Sequence, residues 1–252
     1  PTVNWRDLKV QEFLLPPVPE QKRLAALFWA LEAHIEAVGH RQRAVADALV
    51  MQLNYELTRE VDQRSLRSVV ERIVDCPHNT APSDASAYAL VIGTPDIREG
   101  RLLLAGARPV SEQTFRDWTS RATPTAGDLI LAREAPIGEV AIVPVQPRVC
   151  LGQRTVLIRP TEPSSSRILW GILRSGSVQR AMLMKSAGST VPHLNVADIR
   201  DLTIPWPDTE QARRRVLRLI DQEESAVELA REEVATQKRV REALMVQAFG
   251  GE

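Results

Sequence analysis

Several features that would point to a secreted or membrane protein are absent from this sequence. Its two cysteines, Cys76 and Cys150, are too few for the disulfide framework of a small secreted domain. Its longest apolar stretches are far shorter than the roughly 18 residues that suggest a membrane span. The first residues, PTVNWRDLKVQEF, are polar and lack the basic and then apolar layout of a signal peptide. We therefore expect a cytoplasmic protein in a reducing compartment, without a membrane partner.

An excess of positive charge is also lacking. The chain has 32 Lys and Arg against 32 Asp and Glu, whereas a protein that holds DNA alone through counterion release usually carries a basic excess. The charges are unevenly spread, because residues 65–205 contain 16 basic and 13 acidic side chains, a net charge of +3 (16 − 13), and the flanks lean acidic. If the chain binds DNA, we expect partners to supply much of the contact with phosphates.

The motifs of common DNA-modifying enzymes are missing as well. The chain has no GxxxxGK[ST] phosphate loop and no Asn-Pro-Pro-aromatic or Asp-Pro-Pro-aromatic motif for base methylation. Pro95-Asp96 resembles the start of a nuclease metal motif, but the Glu-x-Lys that should follow is absent. Cys76 and His78 have no further ligands at zinc spacing, so we interpret Cys76 as a small buried side chain and His78 as a loop-capping group. We expect no catalytic residue, metal or cofactor in this chain.

Two long segments have helical periodicity and almost no glycine or proline. The first covers about residues 19–59 and the second about residues 209–249, with prolines before each and Gly250-Gly251 after the second. Apolar residues recur at alternating steps of four and three, the heptad pattern of a coiled coil. Such helices must pair with each other or with a partner; the alternative is that both pack inside an ordinary bundle. The residues expected to pair the helices or dock a partner are Leu24, Phe28, Leu31, Ile35, Val38, Val45 and Leu49 in the first and Val216, Ile220, Val227, Val234 and Leu244 in the second, with Gln42, Gln52, Glu223, Gln237 and Arg241 as polar members.

The entries to the two helices resemble each other. TVNWRDLKVQEFLLPPVPEQ (residues 2–21) and TVPHLNVADIRDLTIPWPDTEQ (residues 190–211) share Thr-Val, Asn, Asp-Leu or Asp-Ile, an apolar strand-like stretch, prolines and Glu-Gln. This internal repeat predicts that residues 1–18 are the tail of a preceding globular domain. It predicts a spacer helix over 19–60, a globular domain over 61–207 and a second helix over 208–252. The chain is then either a natural half-length protein or the C-terminal part of a longer one.

The middle of the chain mixes strand and helix patterns. Tyr88–Ile92, Leu129–Ala132, Val140–Val143 and Val156–Ile158 are short apolar stretches bounded by Gly, Pro or Asp, which is typical of strands. Residues 112–120 and 165–185 have helical patterns. The order predicts an α+β domain with a curved mixed sheet, flanked by two long antiparallel helices.

A set of polar residues in this middle part is suited to reading DNA. Arg and Gln have the geometry for bidentate contacts with guanine and adenine edges. The alternative for each is an ordinary surface residue or a member of a buried salt bridge, and Glu99 and Glu134 stand next to two of the arginines. The candidate DNA contacts are Arg98, Arg101, Arg133, Gln153, Arg154, Lys185 and His193.

Taken in order, five motifs resemble those of a known family. DCPHNTAP, GTPDIREGRLLL, GDLILAREAPIGEVAIVP, CLGQRTVLIRP and GSTVPHLNVADIRDLTIPWP followed by EQ are similar to a target-recognition domain of type I restriction-modification specificity subunits. The flanking helices resemble the spacer helices of that family.

This resemblance implies a non-catalytic subunit that reads double-stranded DNA. In that family two target-recognition domains, held apart by two antiparallel helices, each read one half of a split target. Methyltransferase subunits, which use S-adenosylmethionine, dock on the helices, and an endonuclease subunit joins them. With one complete recognition domain, this chain would either self-dimerise or require a second domain. The alternatives are a recognition subunit of a type II methyltransferase-nuclease and a coiled-coil scaffold that does not bind DNA.

Overall fold

The computed structural model describes Arg6, Lys9, Val10 and residues 15–59, 61–186 and 192–249. These residues form two compact units: one contains the described residues up to Leu49 and those from Gln222, and the other spans Val50–Asp221. No helix within the described ranges has the length and apolar character needed to cross a membrane. The predicted tail over residues 1–18 lies largely outside the described residues, and the predicted domain division stays a prediction.

The elements alternate between short strands and helices, with one long helix near each end. In chain order they are α1 (Val18–Glu56), β1 (Val61–Ser65), β2 (Val70–Asp75), β3 (Ala89–Ile92), β4 (Ile97–Arg98), β5 (Arg101–Leu102), β6 (Arg108–Val110), α2 (Glu112–Trp118), β7 (Leu129–Ala132), β8 (Val140–Ile142), β9 (Val149–Leu151), β10 (Thr155–Pro160), α3 (Ser166–Arg174), α4 (Gly176–Ser186), α5 (Val196–Arg200), β11 (Thr203–Pro207) and α6 (Glu210–Phe249).

The first unit is a pair of antiparallel helices built from most of α1 and α6. Arg41 Nη2 lies 2.8 Å from Glu233 Oε2, and Arg241 Nη1 lies 2.8 Å from Glu32 Oε1. A residue early in α1 therefore meets a residue late in α6, which fixes the antiparallel direction. Val38 is buried between the helices with 1% of its surface exposed.

The residues of the predicted heptad pattern are mostly the less exposed residues of both helices. Val216, Ile220 and Glu223 are buried, as are Leu24 and Val38. The pattern is wrong at two positions of α1, because Val45 is 40% exposed and Gln52 is exposed, whereas Leu53 is buried in its place. The half-buried members are Phe28, Leu31, Ile35, Gln42, Leu49, Val227, Val234, Gln237, Arg241 and Leu244.

The strands of the second unit form four small sheets among the described residues rather than one curved sheet. A four-stranded antiparallel sheet has the order β2-β10-β7-β8, and a three-stranded mixed sheet has the order β6-β3-β9. The pairs β1-β11 and β4-β5 complete the set. In the mixed sheet β3 runs parallel to β9, with Ile92 opposite Leu151.

A single hydrophobic cluster joins the two larger sheets. Ile92 and Leu151 of the mixed sheet share it with Ile130 and Leu157 of the antiparallel sheet. Cys76, which follows β2, is fully buried in the same cluster, as the sequence predicts. The two larger sheets therefore share one core, which anchors the strands that end at the cleft.

The α+β class and the two long flanking helices are confirmed by the structure. The four predicted strands correspond to β3, β7, β8 and β10, and the predicted helical stretch 165–185 is divided at Ser175, whose extended backbone separates α3 from α4. Sequence patterns miss β2 and β9. Charged residues dilute the apolar pattern in VERIVD, and VCL is only three residues long.

Candidate nucleic-acid interface

A cleft of about 410 Å³ with both polar and apolar lining opens where three strands end. Strands β3 and β9 are parallel neighbours, so the segments that follow them, Gly93–Asp96 and Gly152–Arg154, lie side by side. Strand β2 ends opposite the start of β10, with Asp75 paired to Val156, and the loop after β2 forms the third wall. The lining residues are Asn79, Thr80, Ala81, Val91, Gly93, Thr94, Pro95, Asp96, Gly106, Arg108, Gly152, Gln153 and Arg154.

Gly152 sets the floor of this cleft. Its N–H donates to the Ile92 carbonyl at 2.8 Å, and a Cβ at this position would lie 2.8 Å from the same oxygen. Only glycine allows the two backbones to approach this closely. The Thr155 hydroxyl donates to the Gly152 carbonyl at 2.8 Å and secures the turn that carries Gln153 and Arg154.

Arg154 reaches outward from this turn and pairs with a carboxylate. Its Nε lies 2.9 Å from Glu134 Oε2, and the side chains are 58% and 19% exposed, respectively. The backbone of Arg154 is left-handed, with φ of 67°, and its carbonyl accepts a hydrogen bond from the Arg133 N–H at 2.9 Å. Arg154 therefore has an exposed side chain on a backbone that is held by a hydrogen bond.

Gln153 ties the turn to the loop that follows β2. Its Nε2 donates to the His78 carbonyl at 2.9 Å. The His78 ring is 67% exposed, with Nε2 at 3.5 Å from Asp75 Oδ2. The predicted loop-capping role thus falls to the backbone of His78, and its ring lies at the surface next to the cleft.

Arg133 is buried instead of facing the solvent. Its side chain is 12% exposed, with Nε 3.5 Å from Asp75 Oδ1, and Nη1 donates to the Leu194 carbonyl at 3.3 Å. This is the buried salt bridge that the sequence left as an alternative. Arg133 therefore holds the segment around Leu194 in place and is corrected from a DNA contact to an internal support.

In the hairpin β4-β5, the side chain of Arg98 bonds to nearby backbone carbonyls. Arg98 Nη1 donates to the carbonyls of Thr94 at 2.7 Å and Ile97 at 2.6 Å, so its guanidinium braces the preceding turn. Arg101 stands opposite Arg98 and is half-buried. Neither lines the cleft, and this placement does not support Arg98 as a direct DNA contact.

The two remaining candidates flank a part of the chain outside the described residues. Lys185 is exposed in the last turn of α4 and does not line the cleft. His193 forms an antiparallel backbone bridge with Glu134 and so lies beside the partner of Arg154. The structure thus brings Gln153, Arg154 and His193 into one neighbourhood.

Three residues of the cleft were missed by the sequence analysis. Asn79 and Thr80 are exposed on the loop after β2, and Arg108 is exposed at the start of β6. Arg108 Nη1 donates to the Ala81 carbonyl at 2.8 Å, which joins β6 to that loop. The sequence did contain a signal for this loop, because the polar residues 78–80 (HNT) directly follow Asp-Cys-Pro at the end of a strand.

The two cysteines are buried and do not line the cleft. Burial raises the pKa of the Cys76 thiol, and burial raises that of Cys150 to about 12, so both thiols stay protonated at neutral pH and are poor nucleophiles. Within the described ranges, no three His, Cys, Asp or Glu side chains cluster in a way that would hold a metal ion. The groups that the cleft does present are amide, hydroxyl and guanidinium donors, together with the Asp96 carboxylate, which accepts a hydrogen bond from the Gly93 N–H at 2.8 Å.

Comparison with known proteins identifies this arrangement. The family model of the type I restriction modification DNA specificity domain matches residues 111–233. Residues 111–233, just under half of the chain, are therefore similar to this specificity domain. The matched region includes the motifs GDLILAREAPIGEVAIVP, CLGQRTVLIRP and GSTVPHLNVADIRDLTIPWP, so the resemblance seen in the sequence is confirmed.

Three known proteins are similar to this chain over different lengths. The type I restriction enzyme MjaIX specificity subunit of Methanocaldococcus jannaschii is 27% identical over 109 residues, which cover 43% of this chain and 24% of that protein. The S subunit of a type I restriction-modification system from M. genitalium shares the fold with a TM-score of 0.58 at 10% identity, covering 94% of this chain and 62% of that one. An HsdS subunit from Thermoanaerobacter tengcongensis is 20% identical with a TM-score of 0.49, covering 100% and 63%. The chain therefore spans about a quarter of its curated relative and under two thirds of the solved S subunits.

Proposed function

We propose that this chain is the non-catalytic DNA-recognition part of a type I restriction-modification complex and reads one half of a bipartite duplex target. The observation that carries the proposal is the cleft at the ends of β2, β3 and β9 in a chain whose residues 111–233 are similar to the specificity domain. Asn79, Gln153, Arg108 and Arg154 supply side chains of the types that contact base edges and phosphates.

Rigid elements carry these groups, which suits recognition. The turn with Gln153 and Arg154 is held by Gly152 and Thr155, and the loop after β2 is held by Arg108 and Gln153. Groups positioned before binding lose less conformational entropy when the complex forms.

The two long helices support the proposed partners. Methyltransferase subunits, which would bring S-adenosylmethionine, dock on α1 and α6, and an endonuclease subunit joins the complex. Trp29, Leu229 and Val246 are large apolar residues with 76%, 67% and 70% of their surfaces exposed, so both helices carry apolar surface that a partner could cover. Such a complex works in the cytoplasm, where the bacterial or archaeal chromosome lies.

A methylome tests this proposal. The chain is co-expressed with its methyltransferase subunit in a host without DNA methylation, and the modified bases are sequenced. An inverted, symmetric, gapped motif supports DNA recognition by a self-pairing half-subunit, and an asymmetric gapped motif indicates a second recognition domain. The control is the methyltransferase subunit expressed alone. A folded complex that contains this chain but methylates no specific motif would contradict the proposal and favour a scaffold.

A further inference from the structure

The ion pair between Arg154 and Glu134 is built on two fixed backbone segments. Glu134 is held by its backbone bridge to His193, and the adjacent Arg133 N–H bonds to the Arg154 carbonyl. The contact joins Arg154 Nε to Glu134 Oε2 at 2.9 Å. The arginine is therefore restrained at both its backbone and its guanidinium before any ligand binds.

The guanidinium of Arg154 has more than one edge that carries N–H donors. The 2.9 Å contact with Glu134 is made by Nε, and the edge of the guanidinium that carries the two Nη groups belongs to a side chain that is 58% exposed at the cleft. These groups form a planar fork of N–H donors. Because the Glu134 carboxylate offsets the charge of Arg154, the pair has little attraction for a phosphate but retains its geometry.

We infer that Arg154 reads a guanine in the half-site and that Glu134 is the positioning residue that aims it. This inference rests on the proposed function. In the major groove guanine presents two neighbouring acceptors, O6 and N7, whereas adenine presents an acceptor next to a donor. A fork of two donors held in one orientation therefore matches guanine and is mismatched with adenine.

The neighbouring glutamine has a different role. One N–H of the Gln153 amide is already used by the His78 carbonyl at 2.9 Å. This bond fixes the amide within the wall of the cleft. Gln153 therefore positions the turn with this N–H, and the guanine contact is assigned to Arg154.

The test uses the complex of the chain with its methyltransferase subunit and four variants. Arg154→Ala and Arg154→Lys remove the fork, the second while keeping the positive charge. Glu134→Gln keeps the shape of the positioning residue and removes its charge. Glu112→Gln is the matched control, since it frees Arg116 from an exposed ion pair of 2.8 Å on α2 with the same change in net charge.

Sequence preference is measured for each complex by selection from random duplexes and by the methylome. In the wild type we expect a guanine at one position whose preference falls by about 5- to 150-fold in both Arg154 variants, the range of one bidentate contact. Glu134→Gln should lower the preference at that same position while affinity for mismatched duplex stays equal or rises. Glu112→Gln should leave every position unchanged.

Replacement of that guanine by 7-deazaguanine gives a second readout, because it removes N7 alone. It should weaken binding by the wild type and leave binding by Arg154→Ala unchanged. If the complex reads a specific motif and no guanine preference depends on Arg154, the inference is wrong and the proposed function stands. If the folded wild-type complex reads no motif, the proposed function itself fails.

Discussion

At the residue scale, two arginines that the sequence treats alike have opposite environments. Both Arg133 and Arg154 stand at the edge of an apolar strand, and both were candidate DNA contacts. Arg133 is 12% exposed beside Asp75, whereas Arg154 is 58% exposed beside Glu134. The difference comes from the segment around Leu194, which covers Arg133 and accepts its hydrogen bond.

Removal of these two side chains should separate a structural role from a recognition role. Arg133→Ala removes a guanidinium that lies 3.5 Å from Asp75 and donates to the Leu194 carbonyl, so we expect the free energy of unfolding to fall by about 2 kcal/mol. Arg154→Ala breaks an exposed pair and should cost less than about 1 kcal/mol. Urea unfolding of both variants beside the wild type checks this. Equal losses of stability would contradict the assignment of Arg154 to the surface.

At the element scale, the heptad pattern of α1 does not hold along its length. Val38 and Val45 are one heptad apart, yet 1% and 40% of their surfaces are exposed. A straight α-helix turns about 20° per heptad away from a strict seven-residue repeat. Accordingly Leu53, four residues after Leu49, is buried where the pattern placed Gln52.

Replacing each of these two valines by alanine tests which of them contributes to the stability of the helix pair. Val38→Ala removes two buried methyl groups and leaves a cavity, so we expect a loss of about 2 kcal/mol in the free energy of unfolding. Val45→Ala, its matched control on the same helix, should cost less than about 0.5 kcal/mol. Urea unfolding, with hydrogen exchange of α1 amides, gives the comparison. A similar cost at both sites would show that the heptad extends through Val45.

At the scale of the whole molecule, the charge balance limits what this chain does alone. Its 32 basic and 32 acidic side chains cancel, and residues 65–205 carry a net charge of only +3. Several of these cations are already paired within the second unit, including Arg159 with the buried Asp128 at 2.6 Å. The affinity of the proposed complex for phosphates must therefore come largely from its partners.

The salt dependence of DNA binding tests this division. For the chain alone we expect weak binding, with log K against log salt no steeper than about −3, since each phosphate contact contributes about −0.9. Addition of the methyltransferase subunit should raise the affinity and steepen the slope. A slope of about −6 or steeper for the chain alone would show that this chain supplies the phosphate contacts itself.

Much of the architecture can be predicted from the sequence because its causes are local. The near absence of Gly and Pro over forty residues, with prolines before each segment, is sufficient to predict α1 and α6. Short apolar stretches between turn residues predict β3, β7, β8 and β10. The order of the motifs indicates the family, since each motif is a contiguous stretch of sequence.

The site depended on contacts between residues that are distant in sequence. Arg133 bonds to a carbonyl 61 residues away, and Gln153 bonds to one 75 residues away. Burial and orientation of a side chain depend on what packs over it, which neither spacing nor propensity encodes. The sequence by itself thus determined the long helices, four of the strands and the resemblance to the specificity family. Only the tertiary structure decided that Arg154 faces the cleft, that Arg133 does not, and that Asn79, Thr80 and Arg108 join it.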